Sequence, residues 1–182
     1  MKRSEINAAI REAAAAFERH QWALPPNPRW DVTDFGLGHF EKEGLVLVNL
    51  AEEPEYCEKI MYSRKNQVTL CHHHQSKKED IICRWGRLAV QIHTDDPAPV
   101  ELQINGEVRD VVPNQPIVLN AGERVTLTQG VDHSFWADSE YAIIGEVSTA
   151  NDDLHDNYFA DPDVGRFSDI DEDEPPLVKL VS

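Results

Sequence analysis

From Trp30 to Val147 the chain runs as a series of short apolar stretches, most of them closed within a few residues by glycine, proline, asparagine or aspartate. That texture restricts the fold more than any other feature, because such stretches read as strands and not as amphipathic helices. Strands are expected at 44–50, 56–62, 66–71, 80–85 and 87–93, and again at 99–104, 107–112, 116–119, 123–128 and 140–147. Asn105-Gly106 lies between Val100–Ile104 and Glu107–Val111, and this dipeptide favours a two-residue hairpin turn. Many short strands at regular spacing indicate an antiparallel sandwich or barrel.

Helical spacing occurs at the N-terminus, where residues 4–20 set Ile6, Ile10, Ala13, Ala14 and Phe17 on one face, with Ser4 as the candidate N-cap. Leu24-Pro25-Pro26-Asn27-Pro28 ends it, since prolines remove donors and restrict the residues before them. Beyond Val147 the chain turns polar, with an acidic run from Asp169 to Glu174, and 177–181 is a candidate edge strand. No repeat or long linker divides the chain. One domain is therefore expected over 1–182, with a helix and proline turn in 1–28, the barrel in 30–147 and a polar extension over it in 148–182.

Charge narrows the partners. With 33 acidic against 17 basic residues the net charge is −16, which opposes nucleic acids and anionic membranes, whose binding needs cationic surface. A neutral small molecule suits it better. Cys57, Cys71 and Cys83 form an odd set without C-x-x-C spacing, and Met1-Lys2-Arg3-Ser4 leads into an amphipathic stretch instead of an apolar signal core. A reducing, cytoplasmic setting is the expectation.

The chemistry concentrates in Cys71-His72-His73-His74-Gln75-Ser76-Lys77-Lys78-Glu79. On a strand His72 and His74 share a face and His73 points the other way. Two imidazoles followed by a carboxylate make a facial ligand set for a divalent first-row metal, although consecutive histidines also suit a surface cluster. The longer pattern decides between the two. The segment resembles the first cupin motif, G(X)5HXH(X)3,4E(X)6G, from Asn66 through His72, His74 and Glu79 to Gly86, with Asn66 in place of the leading glycine. The second motif, G(X)5PXG(X)2H(X)3N, is met by Gly122, Gly130 and His133, with Thr128 and Ala137 replacing its proline and asparagine. The expected fold is thus mainly β, a cupin barrel with an N-terminal amphipathic helix, its metal held by His72, His74, Glu79 and His133. Mn²⁺, Fe²⁺, Zn²⁺, Ni²⁺ and Co²⁺ all accept such ligands.

The flanking residues resemble the D-lyxose isomerases, sugar isomerases built on one cupin barrel. The likeness spans most of the chain, including Trp30-Asp31-Val32-Thr33-Asp34-Phe35-Gly36, Lys77-Lys78-Glu79-Asp80-Ile81, Arg84-Trp85-Gly86 and His133-Ser134-Phe135-Trp136. It continues in Gly145-Glu146-Val147-Ser148-Thr149, Asn151-Asp152-Asp153 and Gly165-Arg166-Phe167. The connection between Pro28 and Trp30 is shorter than in the longer members. The resemblance implies a divalent metal, foremost Mn²⁺, and interconversion of D-lyxose with D-xylulose, with slower action on D-mannose. A homodimer is also expected, since small cupins often pair through sheet edges.

Such a reaction moves a proton between C2 and C1 through a cis-enediol, so it needs acid/base groups beside the metal. Lys77, two residues before Glu79, points inward if the segment is extended, and beside a metal its pKa is expected to be depressed; in a polar loop it would simply be exposed. Glu146, after an apolar run, is either an inward base or an outward surface residue. Asp153, Asp163 and Arg166 lie in the polar segment, where Asp163 is the candidate partner of Lys77 and Asp153 and Arg166 the candidate sugar-binding groups. Trp85 and Trp136 are expected to pack, and His20, His39, His93 and His155 to sit at the surface or in satisfied hydrogen bonds. Competing readings are an Fe²⁺ oxygenase, a phosphosugar isomerase and a non-catalytic sugar-binding cupin.

Overall fold

The computed structural model describes residues 1–165 and 169–181. One helix, α1 (Arg3–Arg19), precedes β1 (Arg29–Thr33), β2 (Leu45–Glu52), β3 (Tyr56–Arg64), β4 (Val68–His73), β5 (Glu79–Trp85), β6 (Arg87–Ile92) and β7 (Val100–Ile104). There follow β8 (Glu107–Val111), β9 (Pro116–Asn120), β10 (Arg124–Leu127), β11 (His133–Ala137), β12 (Tyr141–Thr149) and β13 (Tyr158–Phe159). The strands form two antiparallel sheets, one ordered β1-β2-β3-β12-β5-β10-β7-β8 and the other β13-β4-β11-β6-β9. Successive strands cross repeatedly from one sheet to the other, which closes the barrel anticipated from the strand texture.

Alternation along the strands gives the larger sheet two buried faces. Met61, Ile81, Ala142 and Ile144 face inward to a core shared with Leu88, Val90, Leu119 and Phe135. Val46, Val48, Ile60, Tyr62 and Ile143 face outward and are covered by Ile6, Ile10, Ala13 and Phe17 of α1. Isolated sheets seldom bury both faces, and here the helix supplies the second layer.

Several local expectations need correction. Ser4 is not the N-cap: the cap is Lys2, two residues earlier, and the C-terminal segment satisfies the first amides of α1. The Arg3 N–H donates to the Asp171 carbonyl at 2.8 Å and the Ser4 N–H to Asp173 Oδ1 at 2.9 Å. The acidic run thus sits on the positive end of the helix dipole, where carboxylates are favoured. Residues 177–181 form no strand, although the Val181 N–H donates to the Trp30 carbonyl at 2.9 Å. β1, β11 and β13 fall outside the expected strands; β11 is mostly buried and reads as a run of functional residues more than as an alternating strand.

Two backbone features aim the site. Asn66 has φ 60° and Gly86 φ 81°, so the asparagine serves the left-handed turn that the motif's leading glycine would otherwise serve. A Cβ on Gly86 would stand 2.5 Å from the Tyr141 carbonyl. Between β4 and β11 the register moves from His72↔His133 to Thr69↔Phe135, an extra residue on β4. This bulge, next to a metal-ligand candidate, lets both Thr69 and His72 line the interior.

Candidate metal centre and acid/base pair

His72 ends the β4 run facing inward, His74 follows in the connection to β5, Glu79 opens β5 and His133 opens β11. One ligand atom from each lies within 4.8 Å of every other, and all four residues are buried. Each imidazole is oriented through its Nδ1 and a backbone carbonyl: His72 to Leu70 at 2.7 Å, His74 to Asp156 at 2.6 Å and His133 to Val131 at 2.9 Å. A donating Nδ1–H leaves Nε2 with its lone pair, the tautomer that binds metals. Burial and the neighbouring His133 hold the His72 pKa well below its ordinary value. Burial alone would raise the pKa of Glu79, but the adjacent Lys77 charge holds it well below the carboxylate range.

The donor set fits a divalent cation. His74 Nε2, His133 Nε2 and Glu79 Oε1 are buried without hydrogen-bond partners among the described residues. His133 Nε2 stands 3.1 Å from Glu79 Oε1, where two lone-pair atoms repel unless a proton or cation lies between them. His73 faces the other way: it stacks on Tyr158 at 5.2 Å and reaches Asp132 Oδ1 at 2.8 Å.

Lys77 is buried in the connection between β4 and β5, not on an extended strand, and its Nζ lies 2.8 Å from Glu79 Oε2 and 2.9 Å from Glu146 Oε1. Two carboxylates oppose the depressed pKa expected for Lys77 beside a metal. Burial does act to lower it, but the charges of Glu146 and Glu79 outweigh burial and raise it. Lys78 is exposed.

Glu146 faces inward because β12 alternates Ala142, Ile144 and Glu146 into the barrel while Tyr141 and Ile143 lie under α1. The carboxylate that meets Lys77 is therefore Glu146 and not Asp163, which is exposed in a turn where its N–H donates to Asp161 Oδ1 at 2.9 Å. Asp153 lines the cavity, with Oδ1 3.4 Å from Lys59 Nζ. Arg166 lies outside the described residues.

Sequence reasoning missed two charged groups. Lys59 is buried on β3, its Nζ 3.7 Å from Glu146 Oε1 and 3.3 Å from Asn151 Oδ1. Burial acts to lower the Lys59 pKa, but the charge of Glu146 and then that of Asp153 raise it overall. Its signal was parity alone, since it stands two residues from inward-facing Met61. Asp156 accepts the N–H groups of Gln75, Ser76 and Lys77 at 2.8, 3.0 and 2.9 Å on its carboxylate, while its carbonyl takes the His74 Nδ1. One residue thus fixes both a ligand candidate and the loop that carries Lys77. Nothing in the sequence distinguished it from the other aspartates of the polar segment.

The remaining residues stand largely as expected. Trp85 packs on Tyr141 and His20, with ring centroids 4.4 and 4.1 Å away. His93 reaches Ser134 Oγ at 2.8 Å, and His155 is exposed beside Asp152. Cys57, Cys71 and Cys83 carry free thiols. No helix among the described residues is long and apolar enough to cross a membrane.

Around these groups lies a cavity of about 840 Å³, lined by His72, His74, Lys77, Glu79, Lys59 and Glu146, with further walls from Asn49, Thr69 and the C-terminal segment. A metal-bound small polar molecule, an acid/base pair and water exclusion are all possible in such a space. Comparison with known proteins agrees with that chemistry. The family model for D-lyxose isomerase matches residues 27–182. A D-lyxose/D-mannose isomerase of Escherichia coli O157:H7 is 35% identical, covering 99% of this chain and 96% of its own length. A D-lyxose ketol-isomerase of Cohnella laeviribosi is 31% identical, covering 96% of this chain and 100% of its own. Among solved structures, Acinetobacter sp. DL28 L-ribose isomerase in complex with L-ribose shares the fold, with a TM-score of 0.71 at 18% identity over 93% of this chain and 98% of that one.

Proposed function

The chain belongs to the D-lyxose isomerase family, a family of sugar isomerases, and from that premise we propose a metal-dependent ketol-isomerase that interconverts D-lyxose and D-xylulose, and D-mannose and D-fructose more slowly. The observation that carries this reading is the Lys77–Glu146 pair, 2.9 Å apart inside the barrel and directly against Glu79. Aldose–ketose isomerisation needs a base and a proton donor at adjacent carbons and oxygens, and a binding module needs neither.

His72, His74, Glu79 and His133 hold the divalent metal in this proposal, Mn²⁺ foremost. When bound, it polarises the substrate's carbonyl and hydroxyl oxygens and stabilises negative charge developing on them. The protein's own groups move the protons. Glu146 takes the proton from C2 of the open-chain aldose and returns it to C1. The Lys77 ammonium donates toward O1 as the enediol forms, and recovers a proton from O2 as the ketose carbonyl appears. Asp153 and Lys59 bind hydroxyls farther along the sugar, and Arg166 is assigned the same role from its place in the sequence.

Both buried lysines already face carboxylates, which favours an uncharged monosaccharide over a phosphorylated one. The proposal further takes 1–182 as one domain, a homodimer paired through sheet edges, and a cytoplasmic setting in keeping with the free thiols.

The test is a sugar panel on metal-stripped protein reloaded with Mn²⁺. D-lyxose should be converted, EDTA should abolish the activity, and reaction in D₂O should place deuterium at C1 of the D-xylulose formed. Lys77→Ala and Glu146→Gln should each lower kcat by about 10²–10⁴-fold, the usual worth of a positioned acid or base. Metal-loaded protein that leaves D-lyxose and D-mannose unchanged would sink the reading. Oxygen consumption would instead support an oxygenase.

A further inference from the structure

Five buried side-chain atoms have no hydrogen-bond partner among the described residues: His74 Nε2, His133 Nε2, Glu79 Oε1, Asn49 Oδ1 and Thr69 Oγ1. The first three belong to the candidate metal ligands. The other two do not, and a folded protein rarely leaves buried oxygens unmatched without a use for them. Asn49 and Thr69 are 5% and 4% exposed, and both line the cavity.

Their position follows from strand register. Asn49 pairs with Lys59, Lys59 with Glu146 and Glu146 with Ile81, so Asn49, Lys59 and Glu146 stand in one row across β2, β3 and β12. Directly opposed residues on one face have Cβ atoms about 4.5–5.5 Å apart, so the row is a continuous polar strip. It starts beside the acid/base pair and ends at Asn49, whose amide oxygen is unmatched. Thr69 adds a hydroxyl from the facing sheet, across the β4 bulge from His72. On the core side the strip is bounded by the apolar row Leu47, Met61 and Ile144.

We propose that Asn49 and Thr69, with Lys59 between Asn49 and Glu146, form a polyol subsite that binds the hydroxyls of the sugar carbons beyond the reacting end. The chemistry matches. Each sugar hydroxyl both donates and accepts, the Asn49 amide and the Thr69 hydroxyl do the same, and Lys59 supplies a charged donor. The apolar row limits how far a polyol can extend, which makes this strip a determinant of sugar length and configuration. The assignment of the reacting end rests on the isomerase reading, while the subsite itself rests on the unmatched oxygens.

The test uses Thr69→Val and Asn49→Ala in the full chain, with Lys59 left in place. Each variant should raise KM for D-lyxose about three- to tenfold, the value of one neutral hydrogen bond. Affinity for xylitol, an unreactive polyol, should weaken by a similar factor in calorimetry, with Mn²⁺ affinity unchanged. Thr69→Val has a second readout that a merely structural threonine would not give. Removing an unmatched buried hydroxyl should raise Tm of the sugar-free protein by about 2–4 °C, whereas loss of a structural hydrogen bond would lower it. KM and xylitol affinity within twofold of the parent in both variants would overturn the subsite and leave the isomerase reading standing. A parent that binds xylitol through these residues yet converts no sugar would support the subsite and sink the isomerase reading.

Discussion

His72 and His73 are neighbours in the chain with opposite fates: the first turns its Nε2 toward Glu79 and His133, and the second stacks on Tyr158 outside the barrel. Replacing His72 with alanine should therefore weaken Mn²⁺ binding beyond the about 10–100-fold usually lost when only a ligand's supporting partner is removed. His73→Ala should leave it unchanged in the same calorimetric titration. Asp156 sits one step outward. Its carboxylate cradles the Gln75, Ser76 and Lys77 amides and its carbonyl orients His74. Asp156→Ala keeps the carbonyl but frees the loop, so Lys77 drifts from the Glu79–Glu146 pair. Displacements near 1 Å can cost about a hundredfold in rate, so kcat should fall on that order while KM changes little. A variant with parental kcat would show that Lys77 is held by its two carboxylates alone.

At the level of elements, α1 decides more than its own burial. By covering the outer face of β1, β2, β3 and β12 it makes both faces of those strands apolar, so the run before Glu146 carries no usable parity in the sequence. The helix is itself anchored by carboxylates. Glu12 bonds Tyr62 and Arg64, and Glu172 and Asp173 bond Arg3 and Ser4. Burial works to raise the Glu12 pKa, but hydrogen bonds from Arg64 and Tyr62 bring it below 4.5. The Arg3 hydrogen bond lowers Glu172 below 4.5, and the Ser4 hydroxyl lowers Asp173 below 3.8. The unfolded chain then takes up these protons first. The stabilisation is complete above the unfolded values and is lost as pH falls through the folded ones. Tm should drop from about pH 4.5 downward, and Glu12→Gln should flatten that acid limb while lowering Tm at neutral pH. An acid limb of the same steepness in the variant would exclude Glu12 as a contributor.

Over the whole molecule, the ligand candidates join the two sheets: Glu79 lies on the larger, and His72 and His133 on the smaller. A metal bound there ties the barrel together and binds only the folded state. Mn²⁺ at a hundred times its Kd should raise Tm by about 5–10 °C, reversed by EDTA. An unchanged Tm would mean that the four side chains do not bind the ion in the folded protein.

The cluster of ligand candidates, the strand-rich barrel and the N-terminal helix could be read from the chain because each depends on local periodicity or fixed spacing. His72 and His74 share a face through strand alternation, and Asn66 serves its turn through its own backbone preference. The partner of Lys77 could not be read that way. Its meeting with Glu146 spans 69 residues and depends on β12 lying between β3 and β5. Asp156 lies 82 residues beyond His74, and the unmatched oxygens of Asn49 and Thr69 belong to strands of different sheets. Residue type and spacing determined which groups can hold a metal. Strand pairing and the helix on the outer face decided which carboxylate, lysine and amide stand beside it, because only the folded chain brings distant strands into register.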